Sequence, residues 1–109
     1  MGRPARASVV LVRFPFSDLS RTKRRPALVL AEVEYGDLLL CQITSKVYKD
    51  RNAVCIGPAD FQKGTLPVTS YARPGRIMTA HRSLVIDSVA ILTEAKHQEV
   101  VAAISKLIA

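Results

Sequence analysis

Two apolar runs joined by a tight turn constrain this chain more than any other feature. Ala27-Leu28-Val29-Leu30-Ala31 leads into Glu32-Val33-Glu34-Tyr35, Gly36-Asp37 reverses direction, and Leu38 to Ile43 returns. This pattern predicts an antiparallel hairpin with strands over 27–35 and 38–44. Glu32 and Glu34 alternate with Val33 and Tyr35, as expected of a strand with one face in water. A basic loop, Arg21-Thr22-Lys23-Arg24-Arg25, precedes the hairpin and breaks at Pro26, and the returning strand ends in Thr44-Ser45. Hairpin geometry then brings the guanidinium cluster and two hydroxyls to one end of the sheet. Cations and hydroxyls gathered at one sheet edge suit a phosphate.

The rest of the chain extends the β pattern. Ser8-Val9-Val10-Leu11-Val12-Arg13-Phe14 reads as a first strand, ended by Pro15, which cannot donate to a ladder. Residues 46–51 are polar and basic, and Ala53-Val54-Cys55-Ile56 forms a short strand closed by Gly57-Pro58. Residues 59–69 read as a connection, with turn signals at Gly64 and Pro67. Ser70 to Thr79 reads as a strand that Pro74-Gly75 interrupts, which predicts an edge or a bulge there. Residues 82–92 fit a short helix or a strand. Val100, Val101, Ile104, Leu107 and Ile108 share one face of a C-terminal helix, with Thr93 as N-cap and Glu94 in the first turn. The expected architecture is one domain over 1–109, with residues 1–7 as a basic N-terminal arm. It is mainly β with a C-terminal helix (α+β): a small, strongly bent antiparallel sheet or open barrel.

A chain of 109 residues supports one modest core. No apolar stretch is long enough to span a bilayer, and no apolar h-region of a signal peptide follows Met1-Gly2-Arg3-Pro4-Ala5-Arg6, so a cytoplasmic location is the expectation. Cys41 and Cys55 lie in apolar runs and read as buried small hydrophobes, and no spacing suggests zinc. The net charge of +7 is concentrated. Arg3, Arg6, Arg13, Arg21, Lys23, Arg24 and Arg25 face Asp18 alone in the first 26 residues, and Arg73, Arg76 and Arg82 face no acid within 65–82. Two such blocks point to a polyanion, either nucleic acid or an acidic peptide.

Few enzyme chemistries fit. His81 and His97 are the only histidines, and His97, in the first turn of the final helix, reads as solvated. No Ser-His-Asp or Cys-His set, phosphate-binding glycine loop or acidic cluster for Mg²⁺ stands out. One reaction suits a cationic site without a metal: attack of an RNA 2′-hydroxyl on its own neighbouring phosphate. The protein need only align the strand, neutralise the phosphorane and assist two proton transfers.

Val10-Leu11-Val12-Arg13-Phe14-Pro15-Phe16-Ser17-Asp18-Leu19, Lys23-Arg24-Arg25-Pro26-Ala27-Leu28-Val29-Leu30 and Ile43-Thr44-Ser45 resemble the MazF/PemK toxins of bacterial type II toxin–antitoxin systems. Asp60-Phe61, Gly64, Leu66, Ser70-Tyr71-Ala72-Arg73-Pro74, Thr79 and the final helix continue the match over about residues 8–108. The resemblance implies an SH3-like barrel of MazF/CcdB type and a homodimer. It implies sequence-selective, metal-independent cleavage of single-stranded RNA, leaving 2′,3′-cyclic phosphate and 5′-hydroxyl ends, with no cofactor. The implied partners are single-stranded RNA and a cognate antitoxin with an acidic disordered segment, and no membrane.

The resemblance implies catalytic roles for Arg25 and Thr44, and Arg73 matches a late-strand arginine that some branches of the family use for catalysis or RNA contact. A guanidinium is always protonated, so Arg25 suits a phosphorane clamp rather than a base. Arg21, Lys23, Arg24, Ser45, Ser70, Tyr71 and Arg76 are candidate RNA contacts, with Tyr71 and Tyr48 able to stack bases. Phe14 and Phe16 are expected to plug the barrel mouth. Where the family often has Gly-Asp before the first strand, this chain has Ala7-Ser8. The first loop has no histidine, Gly75 replaces an acid found in some branches, and His81 replaces the usual Asp. The proton acceptor is therefore unassigned, with Asp18 and His81 as candidates. The alternative is a toxin-fold protein that cuts nothing, either a CcdB-like gyrase poison or a degenerate member acting with an antitoxin.

Overall fold

The computed structural model describes residues 4–15, 22–46 and 49–109. Among the described residues, seven strands and one helix follow one another: β1 (Ser8–Pro15), β2 (Thr22–Glu32), β3 (Asp37–Thr44), β4 (Val54–Ile56), β5 (Phe61–Gly64), β6 (Ser70–His81), β7 (Val85–Leu92) and α1 (Glu94–Ile108). They form one sheet in the order β4-β6-β3-β2-β1-β7-β5, with every pairing antiparallel. Its two edge strands, β4 and β5, are consecutive in the chain. A flat sheet of this order would hold them about 29 Å apart at roughly 4.8 Å per strand gap. The link from Ile56 to Phe61 reaches about 18 Å at most, even fully extended. The sheet must therefore curl until its edges approach, and a 3₁₀ turn over Pro58–Asp60 bridges them.

Strand β2 starts earlier than the sequence suggests. Lys23, Arg24 and Arg25 are strand residues, paired through their backbones with Phe14, Arg13 and Val12. Charge does not bar a residue from a backbone ladder, and of these side chains Arg24 is exposed and Arg25 half-buried. Pro26 is tolerated because β2 has one partner there: it faces Leu11 of β1, while pairing with β3 begins only at Ala27–Gln42. At its other end β2 stops at Glu32. Tyr35 and Gly36 both adopt left-handed backbone, and the Asp37 N–H bonds to the Glu34 carbonyl. This is the geometry favoured in tight hairpins.

Two further differences have local causes. Phe61-Gln62-Lys63-Gly64 has no apolar alternation, yet it pairs with β7 as an edge strand. Residues 82–92 divide into a 3₁₀ turn over Arg82–Leu84 and strand β7. The interruption at Pro74-Gly75 is a large bulge. Cys41 faces Ile77 and Ile43 faces Ala72, so Arg73 to Arg76 loop out opposite Gln42.

Apolar side chains fill both faces of the curled sheet. One cluster gathers Val9, Leu28, Cys41, Ile43, Ile56, Leu92 and Val100 of the helix. The other gathers Val10, Val12, Val29, Leu38 and Leu40. Helix α1 packs on β6 and β4 and is capped by Thr93, whose hydroxyl accepts from the Lys96 N–H at 3.2 Å. Its apolar face ends sooner than expected, since Leu107 is 42% and Ile108 76% exposed. The face extends the other way instead. His97, expected in solvent, is buried, and its Nδ1 has no hydrogen-bond partner among the described residues. Its spacing explains this, because 97, 100, 101 and 104 fall on one helical stripe. Cys41 is buried as expected, whereas Cys55 is exposed, being the outward residue of β4.

Candidate functional site

Strands β2 and β3 pair as far as Ala27–Gln42 and then part. Continuing that register by two places sets Arg25 opposite Thr44 across the opening. Thr44 in turn pairs with Tyr71 of β6, and Tyr71 with Cys55 of β4. Thr44, Tyr71 and Cys55 thus stand in one row across three neighbouring strands, sharing a face, and Arg25 lies across the opening from that row.

The fork between β2 and β3 opens a cavity of about 290 Å³, lined among others by Arg24, Arg25, Thr44, Ser45, Lys46 and Ser70. On the other side of Thr44 lies a cavity of about 150 Å³, lined by Thr44, Lys46, Asp50, Cys55, Tyr71 and Arg73. Thr44 and Lys46 line both. Thr44 is buried, and its Oγ1 accepts from the Lys46 N–H at 3.1 Å, so the hydroxyl proton is its remaining donor. Ser45 and Arg24 are exposed, Arg25 and Tyr71 half-buried. Ser70 is buried and donates its hydroxyl to the Val68 carbonyl at 2.9 Å, leaving it an acceptor.

Arg73 reaches this site from the β6 bulge. The buried Cys41 thiol donates to the Arg73 carbonyl at 3.2 Å, and burial pushes that thiol up to about 11. The guanidinium is held by Asp50, which accepts from Arg73 Nε at 3.0 Å. Asp50 also accepts from the Asn52 N–H at 2.9 Å. That backbone bond and the Arg73 pairing hold its carboxyl below the usual range. Sequence reasoning missed Asp50. The available signal was Asp50-Arg51-Asn52, an Asx-type turn within an otherwise basic loop.

The structure brings Arg24, Arg25, Thr44, Ser45, Ser70, Tyr71 and Arg73 to these two cavities, while Arg76 lines a third beside Arg73. His81 does not join them. It pairs with Asp37 at the far end of β3 from Thr44, and its Nδ1 lies 2.9 Å from Ser83 Oγ. Seven residue steps along β3, about 23 Å, separate that end from Thr44. His81 therefore cannot be a proton acceptor for this site within one chain. Asp18, Arg21, Phe16 and Tyr48 lie outside the described residues, as do the side chains of Phe14 and Lys23. Among the described residues, no group of three or more His, Cys, Asp or Glu gathers to hold a metal. No described helix is long and apolar enough to cross a membrane.

Cations flanking a buried hydroxyl in two joined clefts can hold a phosphodiester and donate to its non-bridging oxygens. Comparisons with known proteins agree in direction. Curated proteins give no match. Among solved structures, MazE-MazF from Deinococcus radiodurans superposes with a TM-score of 0.80 at 19% identity, over 99% of this chain and 97% of that one. MazF alone from the same organism gives 0.77 at 21%, over 99% and 98%. An endoribonuclease in complex with its cognate antitoxin, from a mycobacterial species, gives 0.73 at 20%, over 99% and 95%. At these identities the likeness establishes a shared fold: a curled antiparallel sheet with a C-terminal helix. The family model for PemK-like, MazF-like toxins of type II toxin-antitoxin systems matches residues 5–108. The chain belongs to that family.

Proposed function

We propose that the protein is an endoribonuclease toxin that cleaves single-stranded RNA by attack of the substrate's own 2′-hydroxyl. The observation that carries this reading is the cavity at the β2–β3 fork, which Arg25 and Thr44 both line, with Thr44 paired to Tyr71 on the next strand: a guanidinium, a hydroxyl and an aromatic ring at one sheet end. The 2′-oxygen bonds to phosphorus as the bond to the 5′-oxygen breaks. One proton leaves the 2′-hydroxyl and one reaches the 5′-oxygen, giving a 2′,3′-cyclic phosphate and a 5′-hydroxyl. Arg25 neutralises the phosphorane from the β2 side and Arg73 from the β6 side. Thr44 donates to a non-bridging oxygen with its remaining proton, and Tyr71 stacks a base beside the reacting phosphate. Arg24, Lys46 and Ser45 guide the strand in. Arg21 and Lys23 extend the same basic segment. The protein acts in the cytoplasm as a homodimer, restrained by an antitoxin whose acidic segment covers these clefts.

One observation favours a second reading, a protein of this fold that binds without cutting. Asp50, the acid lining the Thr44 cavity, is committed to Arg73, and a carboxylate so paired is a weak base. The test incubates the purified protein with long single-stranded RNA in EDTA, beside Arg25→Ala and Thr44→Ala. Cleavage with cyclic-phosphate ends is expected, falling roughly 100-fold to 1,000-fold in Arg25→Ala and at least tenfold in Thr44→Ala. RNA left intact across varied sequences would reject the nuclease, and salt-sensitive binding alone would establish the second reading.

A further inference from the structure

The β6 bulge does something a regular strand cannot. Residues three apart on a strand point to opposite faces. Arg73 and Arg76 are three apart, yet both line one cavity of about 440 Å³, together with Lys49, Asp50, Arg51 and Asn52. The extra residues between Ala72 and Ile77 turn the second arginine back to the side of the first.

Four cations and one acid meet at this cavity, and the acid is spent. Asp50 is taken by Arg73 and the Asn52 N–H. Among the described residues, no carboxylate lies within ion-pair distance of Lys49, Arg51 or Arg76. Asp50 alone offsets four cations, and Arg76 as well as Arg73 feels its charge, so a net positive charge of three remains and a bound anion would lower the energy of this arrangement. The cavity is continuous in its lining with the one beneath Thr44, since Asp50 and Arg73 line both. Between the two cationic regions stands Tyr71. An acidic peptide would use the cations and leave the ring idle. Single-stranded RNA uses both, with phosphates on the cations and a base on the ring.

We propose that the Lys49–Arg51–Arg76 cavity is a second phosphate subsite, taking a phosphodiester that flanks the one held at Thr44 on the same RNA strand. The subsite rests on the reading of the Thr44 clefts as an RNA site. It fixes the strand's path, from the β2–β3 fork past Tyr71 to the β6 bulge, and makes affinity depend on RNA longer than the cleaved dinucleotide.

The test measures binding of a fluorescein-labelled, random-sequence single-stranded RNA by anisotropy as NaCl is raised. Wild type is compared with Arg51→Ala/Arg76→Ala and with Arg51→Lys/Arg76→Lys. The alanine pair should bind about fivefold to twentyfold more weakly at low salt. Its log-affinity against log-salt slope should be shallower by about 0.7 for each phosphate no longer neutralised. The lysine pair should keep the wild-type slope, and on cleaved RNA the alanine pair should raise KM more than it lowers kcat. Both positions are exposed, and a melt of each variant checks the fold; if the alanine pair melts early, single Arg76→Ala carries the comparison. An unchanged slope and affinity overturns the subsite, as does weaker binding of poly-glutamate with RNA affinity intact. Wild type that cuts RNA while the slope stays unchanged leaves the nuclease standing and removes the subsite. A shifted slope in a protein that cuts nothing does the reverse.

Discussion

Arg73 and Asp50 grip each other across 3.0 Å, Nε to Oδ2, with both side chains more than four-fifths buried at the junction of two cavities. Nε is the donor nearest the arginine stem, so the pair fixes which way the planar guanidinium points. Asp50 is itself fixed by the Asn52 N–H. Asp50→Ala should lower kcat for RNA cleavage about tenfold with KM changed less, since it misplaces a charge without removing it. Asp50→Asn keeps an acceptor for Nε and should lose less. Single-turnover rates on one RNA separate the two variants.

His97 makes stability depend on pH. Burial first, then the Arg6 charge, lowers its pKa from the ordinary 6.5, while Glu94 opposes them. The folded chain therefore keeps His97 neutral where the unfolded chain takes up a proton. Its contribution is complete above about pH 6.5 and is lost as pH falls below that value toward the depressed folded pKa. Glu94, bonded by Arg6 and Gln98 and lowered to about 2, stays ionised throughout that window. Wild type should melt at a lower temperature at pH 5.5 than at pH 7.5. His97→Phe should flatten that difference in thermal melts at the two pH values.

Gly64 sits where no side chain fits. Its φ is +68°, and a Cβ there would overlap the Val89 carbonyl oxygen and lie 3.0 Å from Ala90 Cα. Gly64→Ala should cost about 2–4 kcal/mol by pushing β5 off β7. Urea unfolding would show the lower midpoint, and hydrogen exchange should place the reduced protection in β5 and β7.

Tyr35 shows the opposite case, a strained residue that nothing requires. It has φ +60° and is 90% exposed, beside Gly36 at +78°. Asparagine tolerates this conformation far better than an aromatic residue, and Asn-Gly is the favoured pair for such a turn. Tyr35→Asn should raise stability by about 0.5–1 kcal/mol, a few degrees in a thermal melt.

The hairpin and the shared end of Arg25 and Thr44 were legible because apolar runs and a glycine turn set a register, and register sets neighbours. The bulge was legible at Pro74-Gly75, since neither residue suits a continuous ladder. Four things were not. Strand β5 is held by its partner's backbone rather than by an apolar pattern of its own. Cys55 faces outward because β4 is an edge three residues long, too short for its run to reveal a face. Asp50 acts through Arg73, a partner distant in sequence, and nothing local marks such a meeting. His97 lay on a readable helical stripe, but its polarity argued against the burial that its position required.

The curl of the sheet carries one consequence for a protein of this family. Arg25, Thr44 and Arg73 come from β2, β3 and β6, segments that meet only once distant parts of the chain have paired. No hairpin emerging from the ribosome carries the whole cleft, and long-range pairings of this kind form late. On the proposed reading, an RNA-cutting cleft exists only once all three segments have paired, so activity would belong to the finished fold alone.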